Sequence, residues 1–212
     1  MPGYFGNETK RIDFTQGCNI CPIGYTQPDF GLTFCYPCMP GTHQRQPGSS
    51  SCEKCLKGEY QEEAHQGICK SCPNGFYQNV KGRALCFPCS PGKFAVNNGS
   101  TNCAECPDGY LQSEPEQAKC EKVPFGEIVA KGGSTSVLVP KGSKIDALDP
   151  SGFSVCPIGT IGNSPPDGFC LHCPVGKSST KGATNCNSCS KGKYSNKKGK
   201  ECSSCQINTF QD

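Results

Sequence analysis

Eighteen of the twenty cysteines in this chain of 212 residues fall in C-x-x-C pairs at nearly constant spacing. The pairs open at Cys18, Cys35, Cys52, Cys69, Cys86 and Cys103, 17 residues apart, and resume at Cys170, Cys186 and Cys202, 16 apart. After the second cysteine of a pair comes C-x-x-G-x-φ, as in Cys55-Leu56-Lys57-Gly58-Glu59-Tyr60, Cys72-Pro73-Asn74-Gly75-Phe76-Tyr77 and Cys189-Ser190-Lys191-Gly192-Lys193-Tyr194. A fixed period of this length is the mark of a tandem array, in which one small structural unit is used again and again.

The glycine three places after the cysteine recurs from Gly24 to Gly192, with Asn208 in the last equivalent position, and this predicts a left-handed backbone there. Two places further on stands the regular apolar residue of each unit (Tyr60, Tyr77, Phe94, Leu111, Ile128, Ile161, Tyr194, Phe210), which is expected to cover the adjacent cross-link. A second turn signal (Gly48, Gly67, Gly82, Gly99, Gly168, Gly182, Gly199) precedes the next cysteine, so each unit reads as two short extended segments around a turn. No segment shows helical periodicity.

Tandem C-x-x-C pairs suit zinc as well as disulfides. The middle of the chain separates the two. At Cys120-Glu121-Lys122-Val123 the second cysteine of the pair is Val123, and Val137 stands where its partner 14 residues on would be. The unit opened by Val139 has Phe153 at the same distance, while Cys120 and Cys156 survive without the other half of their pairs. What disappears is a C-x13-C unit, whereas a zinc knuckle would be lost as C-x-x-C. The expected bridges are therefore Cys21–Cys35, Cys38–Cys52, Cys55–Cys69, Cys72–Cys86, Cys89–Cys103, Cys106–Cys120, Cys156–Cys170, Cys173–Cys186 and Cys189–Cys202. Each closes a loop worth about 3 kcal/mol in the chain-entropy description. In the two cysteine-free units a Val–Val or Val–Phe contact is expected to substitute, making residues 121–155 the softest stretch.

Composition agrees with covalent ordering. Without its cysteines the apolar content is roughly a quarter of the chain, with no Trp, too little for a hydrophobic core of this length. Disulfides at this density imply an oxidising compartment. The net charge of +3 gives no reason to expect nucleic acid, and no apolar run is long enough to cross a bilayer. Cys18 and Cys205 are left over at the two ends, each in an incomplete unit, so the sequence reads as a fragment of a longer repeat protein, membrane-anchored or secreted.

The fold class expected is small and disulfide-rich: an elongated tandem array of ~17-residue units with short β-segments and turns and no helical core, on the order of 120–160 Å long. Its divisions are residues 1–20, a truncated first repeat; 21–120, six regular repeats; 121–155, two degenerate repeats; 156–204, three bridged repeats; and 205–212, a truncated last repeat.

The pattern C-P-x-G-x-Y…G…C-x-x-C resembles the ephrin-receptor-like cysteine-rich repeat, within the growth-factor-receptor cysteine-rich superfamily. Its single 14-spaced bridge per unit is also similar to the small first module of tumour-necrosis-factor-receptor repeats. The resemblance implies an extracellular or cell-surface location and a rod of stacked disulfide units. Such repeats serve both as spacers and as binding surfaces, so it names no ligand.

Catalysis is not expected. The C-x-x-C pairs lie between turns rather than at a helix start, which argues against a redox dithiol. No nucleophile–base grouping, paired carboxylates or phosphate loop stands out, and no cofactor is expected. Of the three histidines, His43, His65 and His172, only His172, inside Cys170-Leu171-His172-Cys173, lies near a plausible ligand, and all three are read as solvent-exposed. Asn7-Glu8-Thr9 and Asn98-Gly99-Ser100 are glycosylation sequons. Residues 171–205 hold seven lysines against one acidic residue, Glu201. Lys177 and Lys193 fall four places after their cysteines and Lys181 and Lys197 eight after, which predicts one basic face for an anionic polysaccharide or another acidic surface. The leading expectation is a non-catalytic extracellular spacer or protein/glycan interaction module. A ligand-binding receptor ectodomain and a tandem zinc protein are the alternatives.

Overall fold

The computed structural model describes residues 1–6, 17–146, 152–162, 169–195 and 201–206. The elements are strands of two or three residues, and consecutive strands pair antiparallel into twelve two-stranded sheets among the described residues.

The repeat opened by Cys38 shows why the sequence folds this way. In Met39-Pro40-Gly41-Thr42 the proline fixes the first corner of a turn and Gly41 supplies the second at φ +84°, closing with a hydrogen bond from the Thr42 amide to the Met39 carbonyl at 3.0 Å. Strand Thr42–His43 then runs antiparallel to Glu53–Lys54, with Thr42 opposite Lys54 and His43 opposite Glu53. A bridge from Cys38 to Cys52, Cα atoms 5.6 Å apart, ties the start of the turn to the start of the return strand.

Nine such bridges are present: Cys21–Cys35, Cys38–Cys52, Cys55–Cys69, Cys72–Cys86, Cys89–Cys103, Cys106–Cys120 and Cys156–Cys170 span 14 residues, and Cys173–Cys186 and Cys189–Cys202 span 13. Cys18, exposed, and Cys205, half-buried, are free thiols.

What is buried differs from the expectation in an instructive way. Opening cysteines such as Cys21, Cys38, Cys55, Cys72 and Cys89 are fully enclosed, but the regular apolar residue is mostly only half-buried, and Tyr194 is exposed. The second buried position lies one place further on and is mostly polar: Gln27, Gln44, Gln61, Gln78 and Gln112, then Ser179 and Ser195, with Ala95 in the repeat opened by Cys89 the apolar exception. Each of the first four glutamines braces its own loop. Gln44 Nε2 donates to the Ser51 carbonyl at 2.7 Å while its Oε1 accepts from the Gln46 amide at 2.8 Å. Gln61 does the same with Ile68 and Glu63, Gln78 with Leu85 and Val80, and Gln27 with Phe34 and Asp29. A primary amide is the side chain that can give and accept at once, which is what a loop without strand pairing needs.

The chain divides into two compact bodies, Met1–Glu105 with Glu114–Lys119, and Cys106–Ser113 with Cys120–Asp212. Within the first, backbone hydrogen bonds join each repeat to the next. The Cys38 amide donates to the Gly24 carbonyl at 2.8 Å, the Gly24 amide to the Gln44 carbonyl at 2.9 Å, and the Gln44 amide to the Gln66 carbonyl at 3.2 Å. The reach extends two repeats. The His65 amide donates to Cys38, and the His65 carbonyl lies so close over Gly24 that a Cβ there would overlap it. The glycine is thus demanded twice, by φ +81° and by the loop resting on it.

The second left-handed position is Gly48, Gly82 and Gly99 as the turn signal implied, but in the repeat opened by Cys55 it is His65 at φ +66°, not Gly67. In the repeat opened by Cys106 it is Glu116 at φ +65°. In the repeats with a 14-residue bridge the left-handed residue stands ten places after the opening cysteine, so Gly67, two places late, does not meet the requirement; with the 13-residue bridge of Cys173 it stands nine after, at Gly182.

The second body keeps the pattern through the cysteine-free repeats. The Val123 amide donates to Gly109, Val139 to Gly126, and Cys156 to Gly142, at 2.8–3.0 Å. Strand Glu127–Val129 pairs with Ser136–Leu138 in the register Glu127 opposite Leu138, Ile128 opposite Val137. This corrects the Val123–Val137 expectation. The loop is one residue shorter, as in the Cys173–Cys186 repeat, so Ser136 takes the missing cysteine's place, and Val137 is a 48% exposed strand residue. Ser136 Oγ donates instead to the Glu127 carboxylate. In the following repeat Ser143 pairs with Val155 and Ile145 with Phe153, the register of a 14-residue bridge; Val139 is buried, yet Phe153 is 44% exposed. The first cysteine-free unit therefore lacks the expected Val123–Val137 pair, while in the second Val139 and Phe153 keep the register of a bridged pair.

Candidate functional site

With cross-links and glutamines inside, the side chains that could meet a partner lie on the strands and loop tips. Lys177 and Lys193 occupy the same position in successive hairpins, on strands Lys177–Ser178 and Lys193–Tyr194, and both are exposed. Opposite them stand Ser188 and Ser204. The contrast is Lys93, at the same position in its repeat, whose Nζ lies 3.4 Å from the carboxylate of Glu105 across the strand. The later lysines therefore face hydroxyls where the earlier one faces an acid. Ser195 Oγ donates to the Lys177 carbonyl at 2.8 Å, linking the two hairpins through the backbone beneath the lysine.

Lys181, also exposed, borders an open groove of about 360 Å³ lined by Ile158, Thr180, Asn187, Ser188 and Glu201 among others. Glu201 brings a carboxylate into the same groove, so its charge is mixed. Lys197 lies outside the described residues, as do Asn7, Asn208, Phe210, Gly168 and Gly199. Asn98 is exposed at a loop tip; its neighbour Gly99 holds φ +75°, and Ser100 Oγ donates to the Asn97 carbonyl at 2.6 Å.

His65 and His172 are exposed as the sequence reading has them, and His43 is not. His172 is an exposed strand residue opposite Thr160. His65 stacks on Tyr25, ring centroids 5.0 Å apart. The histidine that meets sulfur is His43. Its Nδ1 lies 3.2 Å from Cys69 Sγ, in the next repeat's bridge, and its Nε2 is 3.9 Å from the Glu53 carboxylate. His43 sits five places after its opening cysteine, the position read as covering the adjacent cross-link. Thr26, at the same position one repeat earlier, puts Oγ1 3.6 Å from Cys52 Sγ. Both side chains reach a bridge 26 residues away, a separation no local motif displays.

This unit of hairpin, bridge and braced loop is what the family comparison detects. Residues 58–102 and 92–138 match the family described as tyrosine-protein kinase ephrin type A/B receptor-like. Residues 58–138 thus match ephrin-receptor-like repeats. The second match runs into the cysteine-free repeat opened by Val123, where the structure also keeps the hairpin and its hydrogen bonds. Ephrin-receptor-like repeats rich in disulfides point to an extracellular module. A comparison of the chain with curated proteins finds no match. No helix among the described residues is long and apolar enough to cross a membrane.

Proposed function

We propose that these ephrin-receptor-like repeats form a non-catalytic extracellular spacer that also presents an interaction face, with an anionic polysaccharide as its partner at the lysine-rich end. The observation that carries the reading is the pair Lys177 and Lys193, exposed at equivalent positions of adjacent hairpins with serines rather than carboxylates across the strand. A polyanion is recognised by cations repeated along a surface, and a tandem array supplies that repetition through its own period. Lys181 and Lys197 belong to the same proposed face.

The test is retention on a sulfated-glycan column. The protein is expected to elute at higher salt than a variant with Lys177, Lys181, Lys193 and Lys197 all changed to Ala. Equal elution of the two would remove the glycan partner. The spacer reading is supported by the internal use of chemistry: among the described residues, disulfides and buried glutamine amides hold the units. The receptor-ectodomain alternative predicts a partner whose binding vanishes with deletion of one particular repeat, where a spacer responds only to total length. Glycans at Asn7 and Asn98 are proposed as well, and secreted protein whose mass is unchanged by glycosidase would exclude them. The tandem zinc alternative needs free thiolates in the nine C-x-x-C pairs, and sixteen of those eighteen cysteines are joined in disulfides here.

A further inference from the structure

Among the described residues the ligand-type atoms of His43, Cys55 and Cys69 lie within 4.8 Å of one another. Cys55 and Cys69 are bonded to each other, so neither sulfur is a ligand while the bridge stands. We propose that this cluster is a masked zinc site, closed by the Cys55–Cys69 disulfide and opened by a dithiol reductant.

Four features of the structure support it. His43 Nδ1 already lies 3.2 Å from Cys69 Sγ, so the imidazole needs no large movement to share a cation with that sulfur. Its other nitrogen, Nε2, lies 3.9 Å from the carboxylate of Glu53, the cross-strand partner of His43, which a small rotation of that exposed side chain would bring into hydrogen-bond range behind a ligating imidazole. The Cys55 and Cys69 Cα atoms are 5.7 Å apart, and side-chain rotation alone can open the sulfurs to the ~3.8 Å of two thiolates on tetrahedral zinc. The histidine side chain is only 13% exposed, so it is ordered before any cation arrives.

The electron count closes. One thiolate of the dithiol attacks a sulfur of the bridge, forming a mixed disulfide and releasing the other cysteine. The second thiol of the reagent then displaces the first cysteine. Two electrons pass to the bridge, the reagent leaves as its own disulfide, and Cys55 and Cys69 each take up a proton. Zinc binding expels those protons to solvent and leaves two thiolates and the imidazole on the cation, with water in the fourth position. The cation then ties together the ends of the loop that the disulfide had tied. That loop includes His65, whose amide bonds Cys38 and whose carbonyl rests on Gly24, so the cross-repeat contacts are kept.

The test uses the full chain, partially reduced with dithiothreitol, freed of reagent without air, and labelled with N-ethylmaleimide with or without Zn²⁺, the labelled cysteines being located by peptide mass. Zinc is expected to suppress labelling of Cys55 and Cys69 and to leave other opened pairs, Cys38 and Cys52 among them, labelled as before. His43→Thr, which installs the residue found at the same position one repeat earlier, is expected to abolish the protection. Glu53→Gln is expected to weaken zinc affinity by about tenfold. Thr26→His, beside Cys52, is expected to create the same protection at Cys38 and Cys52. Labelling of Cys55 and Cys69 that is indifferent to zinc, or protection that survives His43→Thr, would overturn the site.

Discussion

Gln61 is enclosed and spends both ends of its amide on the loop it starts, at 2.8 Å to the Ile68 carbonyl and 3.1 Å to the Glu63 amide. Gln61→Ala strands one donor and one acceptor and is expected to cost about 1–3 kcal/mol, read as a lower melting temperature and faster hydrogen exchange at the Glu63 amide. An unchanged exchange rate would mean that water replaces the amide at no cost. Glu116 makes the opposite prediction. Its φ of +65° costs a non-glycine residue about 1–2 kcal/mol, and glycine's greater freedom in the unfolded chain returns part of that. Glu116→Gly is therefore expected to stabilise by about 0.5–1 kcal/mol in thermal melting. The glutamines were visible in the sequence as residues 27, 44, 61, 78 and 112, all on the 17-residue period or a multiple of it. Polarity concealed them, because a polar side chain between turn residues reads as exposed unless its hydrogen bonds are counted. His43 was concealed differently: its sulfur partner is 26 residues away, in another repeat.

At the level of the hairpin, the period, the two-strand form and the C-x13-C spacing could all be read from the sequence, because each depends on residues within one repeat. The substitution in the first cysteine-free repeat could not. Val137 looks like an apolar replacement for cysteine, but a loop shortened by one residue turns it to the other side of the strand and leaves Ser136 in the bridging position. This gives a direct comparison. Val123→Cys with Ser136→Cys is expected to form a tenth disulfide, like Cys173–Cys186 with its separation of 13, and to add up to about 3 kcal/mol. Val123→Cys with Val137→Cys is expected to leave both new cysteines reduced, four free thiols with Cys18 and Cys205 against two for the first pair. Thiol counting by alkylation and intact mass distinguishes the pairs, and bridge formation only in the second would reverse the register assigned here.

Across the molecule, covalent cross-links are distributed unevenly, and ordering is expected to follow them. Nothing covalent closes the repeats opened by Val123 and Val139, whose hairpins rest on hydrogen bonds and on the buried Ile128 and Val139. Amides of the strands Glu127–Val129 and Ser143–Ile145 are expected to exchange faster than those of Glu59–Tyr60 and Phe76–Tyr77, measured together in one deuterium-exchange series. Equal rates would show that contact between repeats, rather than the bridge within each, governs opening.

The His65 carbonyl that rests on Gly24 and the His65 amide that bonds Cys38 place one loop in the keeping of three successive repeats. A single repeat cut from the array would carry its own bridge yet lose the neighbours on which its loop sits, and a pair would still lack the outermost of those contacts. Three consecutive repeats are thus the smallest cassette that contains one complete set of its own neighbours. Duplication or recombination of this sequence that respects the cysteine period transfers that set intact, while a break inside the period divides it.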